Sequence, residues 1–103
     1  MRFALRNTIE YCVAILIDRP IWPKNGRKYA HMVSDHNFAE LHGFANRIGL
    51  PQKAFHDDHY DVVSYLVNDA ISFGAKQVAS RELLGRLKSA GLRRQRSLRS
   101  EAT

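Results

Sequence analysis

The sequence contains a single cysteine, Cys12, among its 103 residues. One thiol excludes an internal disulfide and a zinc site made of four cysteines, and it favours a reducing, cytoplasmic setting. Because Cys12 directly precedes an aliphatic run, we interpret it as a small buried apolar residue rather than as a nucleophile.

Long apolar runs are also missing. The longest aliphatic run covers residues 13–17 and has five residues, whereas a membrane-spanning helix needs about 20. The run is also too short for the apolar core of a secretory signal. We therefore expect a soluble cytoplasmic protein that does not enter a membrane.

A glycine-rich phosphate loop is missing as well. Its absence from the sequence excludes P-loop and dinucleotide-binding fingerprints.

The composition is that of one small globular domain. Apolar residues make up 45% and charged residues 25% of the chain, and the formal net charge is +6. Four arginines against Glu101 place half of that excess after Ala90. We predict a leader over residues 1–11, one domain over 12–91 and a basic, disordered tail over 92–103. Either a monomer or a homodimer is compatible with this size.

Strand-like and helix-like segments alternate along the domain. The predicted strands cover residues 12–18, 30–33, 51–55 and 76–79. The predicted helices cover residues 38–48, 61–73 and 80–90, and Asn25-Gly26 predicts a turn inside a flap over residues 21–29. The continuous aliphatic run of the first strand predicts burial on both faces. We expect Asn37 and Ser80 to cap the first and third helices, and the third helix to face the core with Leu83, Leu84 and Leu87. Such alternation favours parallel strands with right-handed crossovers. We predict a small two-layer or three-layer α/β domain with a short, mostly parallel sheet of about four strands and three helices.

Polar side chains follow each predicted strand. The densest group lies in residues 55–61, a stretch of five ionisable side chains and a tyrosine that we interpret as a loop between a strand and a helix. In open parallel sheets, ligands bind at the carboxyl ends of the strands. The pattern therefore predicts a ligand site at one edge of the sheet, formed by the residues that follow each strand.

Several motifs along residues 13–93 resemble the small bacterial and phage family catalogued as domain of unknown function 4031. The motifs are Asp18-Arg19-Pro20-Ile21-Trp22-Pro23, Gly26-Arg27, His31-Met32-Val33-Ser34-Asp35, Glu40-Leu41-His42, Phe55, Asp58-His59-Tyr60-Asp61 and Gly74-Ala75. The resemblance implies no activity. It implies only that eight residues fall on motif positions: His31, Ser34, Asp35, His42, Asp58, His59, Tyr60 and Asp61.

Three kinds of chemistry fit these residues. The histidines and aspartates of residues 56–61, with His31 or His42, could hold zinc, manganese or iron, although their spacing matches no established motif. A histidine paired with a carboxylate, either His31 with Asp35 or His59 with a carboxylate from the same loop, could transfer protons. Arginines and helix N-termini at the same edge could bind a phosphate. The alternative to all three is that the polar residues only cap helices and face water.

These alternatives define the candidate residues. The candidates for catalysis are His31, Asp35, His59 and Asp61. The candidates for ligand binding are Asp18, Arg19, Trp22, Ser34, His42, Asp58, Tyr60 and Arg81. The candidates for nucleic-acid contact are Arg93, Arg94, Arg96 and Arg99.

The favoured functional hypothesis is a hydrolase-like or transferase-like enzyme that acts on a nucleotide-like or other phosphate-bearing small molecule, with a divalent metal as a possible cofactor. A non-catalytic ligand-binding module and a nucleic-acid accessory protein that binds through the tail are the alternatives.

Overall fold

A computed structural model describes residues 14–93 of the chain. The predicted leader, Cys12 and the tail residues Arg94, Arg96 and Arg99 lie outside the described residues. Within the described part, no helix combines the length and the apolarity that crossing a membrane requires.

Between residues 14 and 93, six strands and three helices form in the following order. The strands are β1 (Ile15–Ile17), β2 (Trp22–Lys24), β3 (Arg27–Ser34), β4 (Phe55–His56), β5 (His59–Val63) and β6 (Lys76–Gln77). The helices are α1 (Phe38–Arg47), α2 (Ser64–Ser72) and α3 (Ser80–Ser89), and a single 3₁₀ turn covers Gln52–Ala54.

The sheet is mixed and mostly antiparallel. Its main path runs β4-β5-β3-β1-β6, and β2 pairs with β3 beside this path. Among the described strands, only β1 and β6 are parallel. The α/β class and the three helices are confirmed, but the prediction of a mostly parallel sheet of four strands is wrong. The physical reason is the connection from β1 to β3, which contains no helix, whereas a parallel crossover needs a dozen or more residues and usually a helix.

The predicted turn at Asn25-Gly26 is confirmed and reverses the chain between β2 and β3. Both residues have positive φ angles, 51° and 76°, as a tight hairpin turn requires. Trp22 consequently lies opposite Tyr29 in the register of the two strands. The hairpin returns the chain antiparallel to β1, so His31 on β3 comes to lie beside the end of β1.

Two separate apolar clusters show that helices cover both faces of the sheet. Ile15 and Ile17 of β1 join the cluster that includes residues of α1 and α2. Leu16, between them, joins the cluster of Val33 with Leu83 and Leu87 of α3. Because successive side chains of a strand point to opposite faces, residues 14–93 form three layers, and α3 is the one helix of this part of the chain on its side of the sheet. The burial of β1 on both faces is as the sequence predicts.

The helix ends agree with the sequence in part. The Asn37 side chain accepts a hydrogen bond from the Glu40 N–H at 2.8 Å and so caps α1, as expected. Ser80 does not cap α3, because it is already the first residue of that helix. Residues 61–63, which the sequence assigned to a helix, instead continue β5.

Candidate functional site

The polar stretch of residues 55–61 is a β-hairpin rather than a loop. His56 on β4 pairs with His59 on β5, and Asp57 and Asp58 form the turn between them. Asp57 has a φ angle of 58°, a conformation that aspartate tolerates better than most residues. Alternation along β5 then places His59 and Asp61 on one face of the sheet and Tyr60 and Val62 on the other. The hairpin therefore places successive side chains of β5 on opposite faces of the sheet.

The strand register aligns three polar residues across the face that α3 covers. His31 on β3 lies directly opposite Asp61 on β5. Asp18 continues β1 by one residue, and its N–H donates to the His31 carbonyl at 3.1 Å. The row Asp18, His31, Asp61 therefore crosses three neighbouring strands, and His59 lies two residues from Asp61 on the same face.

Asp18 is fully buried and orients His31. One carboxylate oxygen accepts the His31 backbone N–H at 2.7 Å, and the other lies 3.0 Å from His31 Nδ1. The second oxygen also accepts the Ser80 hydroxyl at 2.7 Å and the Trp22 indole N–H at 3.3 Å. Burial raises the pKa of Asp18, but the hydrogen bonds from His31 and Ser80 outweigh it and hold that pKa below its ordinary value. Asp18 is therefore an acceptor, and His31 Nδ1 carries the shared proton.

Asp58 holds His59 in a similar way. Its Oδ1 lies 2.9 Å from His59 Nδ1, and Arg93 donates to both carboxylate oxygens at 2.8 and 3.1 Å. Burial opposes ionisation of Asp58, but the hydrogen bonds from Arg93 and His59 hold its pKa below the ordinary value. The ionised carboxylate fixes the proton of His59 on Nδ1.

Each of the two histidines consequently has Nδ1 against a buried carboxylate, so Nε2 is the ring nitrogen left for other partners. His59 Nε2 lies 3.3 Å from Asp61 Oδ1, and one donor atom from each of His31, His59 and Asp61 lies within 4.8 Å of the others. Two atoms that share a metal ion at about 2.1 Å are themselves about 3.0–3.4 Å apart, a spacing that the His59–Asp61 pair has. Two histidines and one carboxylate on one side of an ion leave other coordination positions open. These three residues could therefore hold a metal ion.

Lys24 and His56 contact the same carboxylate. Lys24 Nζ lies 3.0 Å and His56 Nε2 lies 3.3 Å from Asp61 Oδ2. Asp61 therefore keeps Oδ1 toward His59, while Oδ2 faces two cationic or potentially cationic groups. No local signal singles out Lys24, because its proximity to Asp61 depends on the pairing of β2 with β3 and of β3 with β5.

A pocket of about 230 Å³ adjoins the two histidines. Its polar lining comprises Asp18, His31, His59, Ser80 and Arg93. Its apolar lining comprises Trp22, Val33, Leu83, Leu84 and Leu87. The sequence predicts Ser80 as a helix cap and the leucines of α3 as core residues. They line the pocket because α3 packs against this face of the sheet.

Asp35 and Ser34 lie at the other end of the sheet from Asp18. Asp35 accepts the Ala14 N–H at 3.1 Å and pairs with Arg86 at 2.6 Å. The Ser34 hydroxyl donates to Glu40 and accepts two backbone N–H groups ahead of α1. Because β3 continues to Ser34, Asp35 lies four residues, about 13 Å, along the chain from His31. The predicted pairing of His31 with Asp35 is therefore absent, and the antiparallel register of β1 and β3 places Asp18 beside His31 instead.

Replacing Asp35 by alanine is expected to lower the free energy of unfolding by about 1 kcal/mol, because Arg86 and the Ala14 N–H lose their acceptor. Urea unfolding measures this change. The ring resonances of His31 and His59 in NMR spectra should stay in place, as they should in Arg86→Ala. A displaced His31 resonance in the Asp35 variant alone would contradict this placement.

His42 and Tyr60 lie on the opposite face of the sheet. Tyr60 is almost fully buried, and its hydroxyl lies 2.6 Å from His42 Nδ1. Burial raises the pKa of this tyrosine. The Phe55 ring packs against both rings of the pair, and Phe38 packs against Phe55. These two predicted ligand-binding residues are thus separated from His31 and His59 by the sheet itself.

The predicted arginines occupy different places. Arg19 borders a second surface pocket together with Ser80, and Arg81 is exposed on the first turn of α3. Arg93, expected to contact nucleic acid, instead binds Asp58 within the domain. Its three companions in the tail lie outside residues 14–93.

A family model described as "Protein of unknown function (DUF4031)" matches residues 15–90. The matched segment contains every strand and helix described above, together with His31, His59 and Asp61. No curated protein and no solved structure matches the chain significantly.

Proposed function

Because this chain belongs to the family of proteins of unknown function designated DUF4031, whose description supplies no activity, we propose from the site itself that the domain is a metal-dependent enzyme. His31, His59 and Asp61 hold a divalent transition-metal ion, and a small molecule reacts in the adjoining pocket. The domain works in the reducing cytoplasm, in keeping with its single cysteine.

One observation carries the proposal: each of the two histidines has a buried carboxylate on Nδ1. Metal-bound histidines typically donate the second ring N–H to a carboxylate, which fixes the tautomer and makes the coordinating nitrogen more basic. Asp18 lies on Nδ1 of His31 and Asp58 lies on Nδ1 of His59. A histidine with a purely structural role needs no such carboxylate, and here two histidines that have one lie beside a third candidate ligand, Asp61.

The donor set also narrows the choice of ion. Two imidazole nitrogens and one carboxylate suit zinc, iron and manganese, whereas calcium and magnesium prefer oxygen ligands. A bound ion of this kind polarises a carbonyl or phosphoryl oxygen and lowers the pKa of coordinated water. Hydrolysis or group transfer is the chemistry that such a centre supports best.

The residues around the three proposed ligands hold them in position and border the pocket. Asp18 and Asp58 keep the coordinating nitrogens in position, while Ser80 and Arg93 hold those two carboxylates. His56 is half exposed at the edge of the site and lies 3.3 Å from the second carboxylate oxygen of Asp61. The apolar wall of α3 limits access of water to the reacting atoms.

The test is a metal titration of the full chain after treatment with EDTA. Isothermal calorimetry with Zn²⁺, Mn²⁺ and Co²⁺ should give one ion per chain, and Co²⁺ should produce a visible absorption band. An ion present at 100 times its dissociation constant should stabilise the fold by about 2.7 kcal/mol, which is a rise in melting temperature of more than 10 °C.

His36→Ala is the matched control, because His36 is exposed and lies outside the site. This variant should bind metal as the unaltered chain does. A folded protein that shows neither binding heat nor a shift in melting temperature with any of the three ions would refute the metal centre.

A further inference from the structure

Trp22 is the one tryptophan of the chain, and it lines the pocket beside the two histidines. It lies on β2, and it is 41% exposed. Among the described residues that line the pocket, its indole is the one aromatic ring besides the imidazoles of His31 and His59. A molecule that enters the pocket can therefore contact an indole surface that is still open to water.

A hydrogen bond and a ring contact hold the indole in one orientation. Its N–H donates to Asp18 Oδ2 at 3.3 Å. Its ring lies against the imidazole of His31, with 5.2 Å between the ring centroids and 51° between the ring planes. Asp18 is itself fully buried and accepts the Ser80 hydroxyl. Because the indole is ordered before a molecule arrives, less conformational entropy is lost when one binds.

The indole is also the lining side chain that can distinguish one kind of apolar group from another. Val33 and the three leucines of α3 are aliphatic, and their dispersion contacts form with saturated and aromatic groups alike. An aromatic ring packed on another in offset or edge-to-face geometry binds about twofold to tenfold more tightly than its buried area alone predicts. Trp22 therefore favours an aromatic ring over a saturated one.

We infer that Trp22 is a substrate-binding residue and that the substrate carries an aromatic ring, which packs against the indole. Because the indole contacts His31, a proposed metal ligand, a ring bound there lies beside the metal centre. The inference rests on the proposed function and adds to it a binding residue and the chemical class of the substrate. A phosphate group is not part of this inference, because Arg19 and Arg81, the arginines that the sequence suggests for it, do not line the pocket.

The experiment compares benzoate with cyclohexanecarboxylate on the full chain loaded with Zn²⁺. The two acids share one charge and a six-membered ring, and the saturated ring is the more apolar, so burial alone favours it. NMR titration follows the methyl resonances of Val33 and Leu84, which both line the pocket. Benzoate should nevertheless bind about twofold to tenfold more tightly, and it should displace the indole N–H resonance of Trp22.

Two substitutions separate the ring of Trp22 from its hydrogen bond. Trp22→Leu and Trp22→Phe both remove the N–H that reaches Asp18, but only the second keeps an aromatic ring. The preference for benzoate should disappear in Trp22→Leu and persist in Trp22→Phe. Tyr65→Leu is the matched control, since Tyr65 is a largely exposed aromatic residue on α2 and lies outside the pocket. It should show the full preference.

The outcomes separate this inference from the metal centre. Equal affinities for the two acids, no response to either acid, or a preference that survives in Trp22→Leu overturns the role of Trp22 and leaves the metal centre in place. A chain that takes up no Zn²⁺ refutes the metal centre. The same titrations on that metal-free chain then decide the role of Trp22 by the same criteria.

Discussion

Replacing His59 by alanine is expected to lower the affinity for divalent metal by more than 100-fold. His59 offers Nε2 at 3.3 Å from the Asp61 carboxylate, and its orientation is fixed by Asp58. Loss of a group that merely orients a ligand costs 10-fold to 100-fold in metal affinity, so loss of one of three ligands should cost more. Calorimetric titration with Zn²⁺ measures the change.

The carboxylate ligand offers a second substitution with the same expected result. Asp61→Asn removes the charge and keeps the shape, and its matched control is Asp69→Asn on the exposed side of α2. Both His59→Ala and Asp61→Asn should keep a native circular dichroism spectrum, since both side chains are only partly buried. Metal affinity within threefold of the unaltered chain in either variant would remove that residue from the centre.

Replacing Asp18 by alanine is expected to lower the free energy of unfolding by about 3 kcal/mol. The Asp18 carboxylate is fully buried and accepts hydrogen bonds from His31, Ser80 and Trp22. A buried donor that loses its partner costs about 1–3 kcal/mol, and breaking one side of a buried charged pair costs more than breaking an exposed one. Water can still reach the indole of Trp22, which is 41% exposed, so the losses do not add in full.

Urea unfolding and the melting temperature both report this loss. For a domain of this size, about 3 kcal/mol corresponds to more than 10 °C. Asp69→Ala, on the surface of α2, controls for removal of a carboxylate and should change stability by less than about 0.5 kcal/mol. If Asp18→Ala unfolds at the same urea concentration as that control, Asp18 does not organise the end of β1.

Local signals in the sequence identified much of the framework. The aliphatic run of β1 is buried on both faces, Asn25-Gly26 makes the hairpin turn, and Asn37 caps α1. Each of these features depends on a few neighbouring residues, because periodicity, turn conformations and caps are local properties of the chain. Family membership, which the resemblance indicated, is likewise confirmed over residues 15–90.

The direction of the strands could not be obtained from those local signals, and the pairing within the site depends on it. With parallel strands, Asp18 and Asp35 would emerge at the same edge of the sheet. With antiparallel strands, the register places Asp18 beside His31. The missing helix between β1 and β3 was the available indication, since it leaves a hairpin as the simplest connection.

The residues of the centre itself are visible in the sequence once β5 is treated as a strand. The spacing of His59 and Asp61 is that of two residues on one face of a strand, whereas on a helix they would point in different directions. Arg93 was assigned to a tail on composition alone. Its contact with Asp58 spans 35 residues and required the packing of α3.

The described chain enters far from the site and leaves beside it. Ala14 lies at the end of β1 next to Asp35, about 13 Å along the strand from Asp18, whereas Arg93 touches both the pocket and Asp58. A fluorescent dye attached just after residue 93 should therefore change its emission when the pocket fills, while a dye attached just before residue 14 should not. For the same reason, an affinity tag rich in histidine should not follow residue 93 directly in a metal titration, because Arg93 contacts Asp58 beside the proposed ligands.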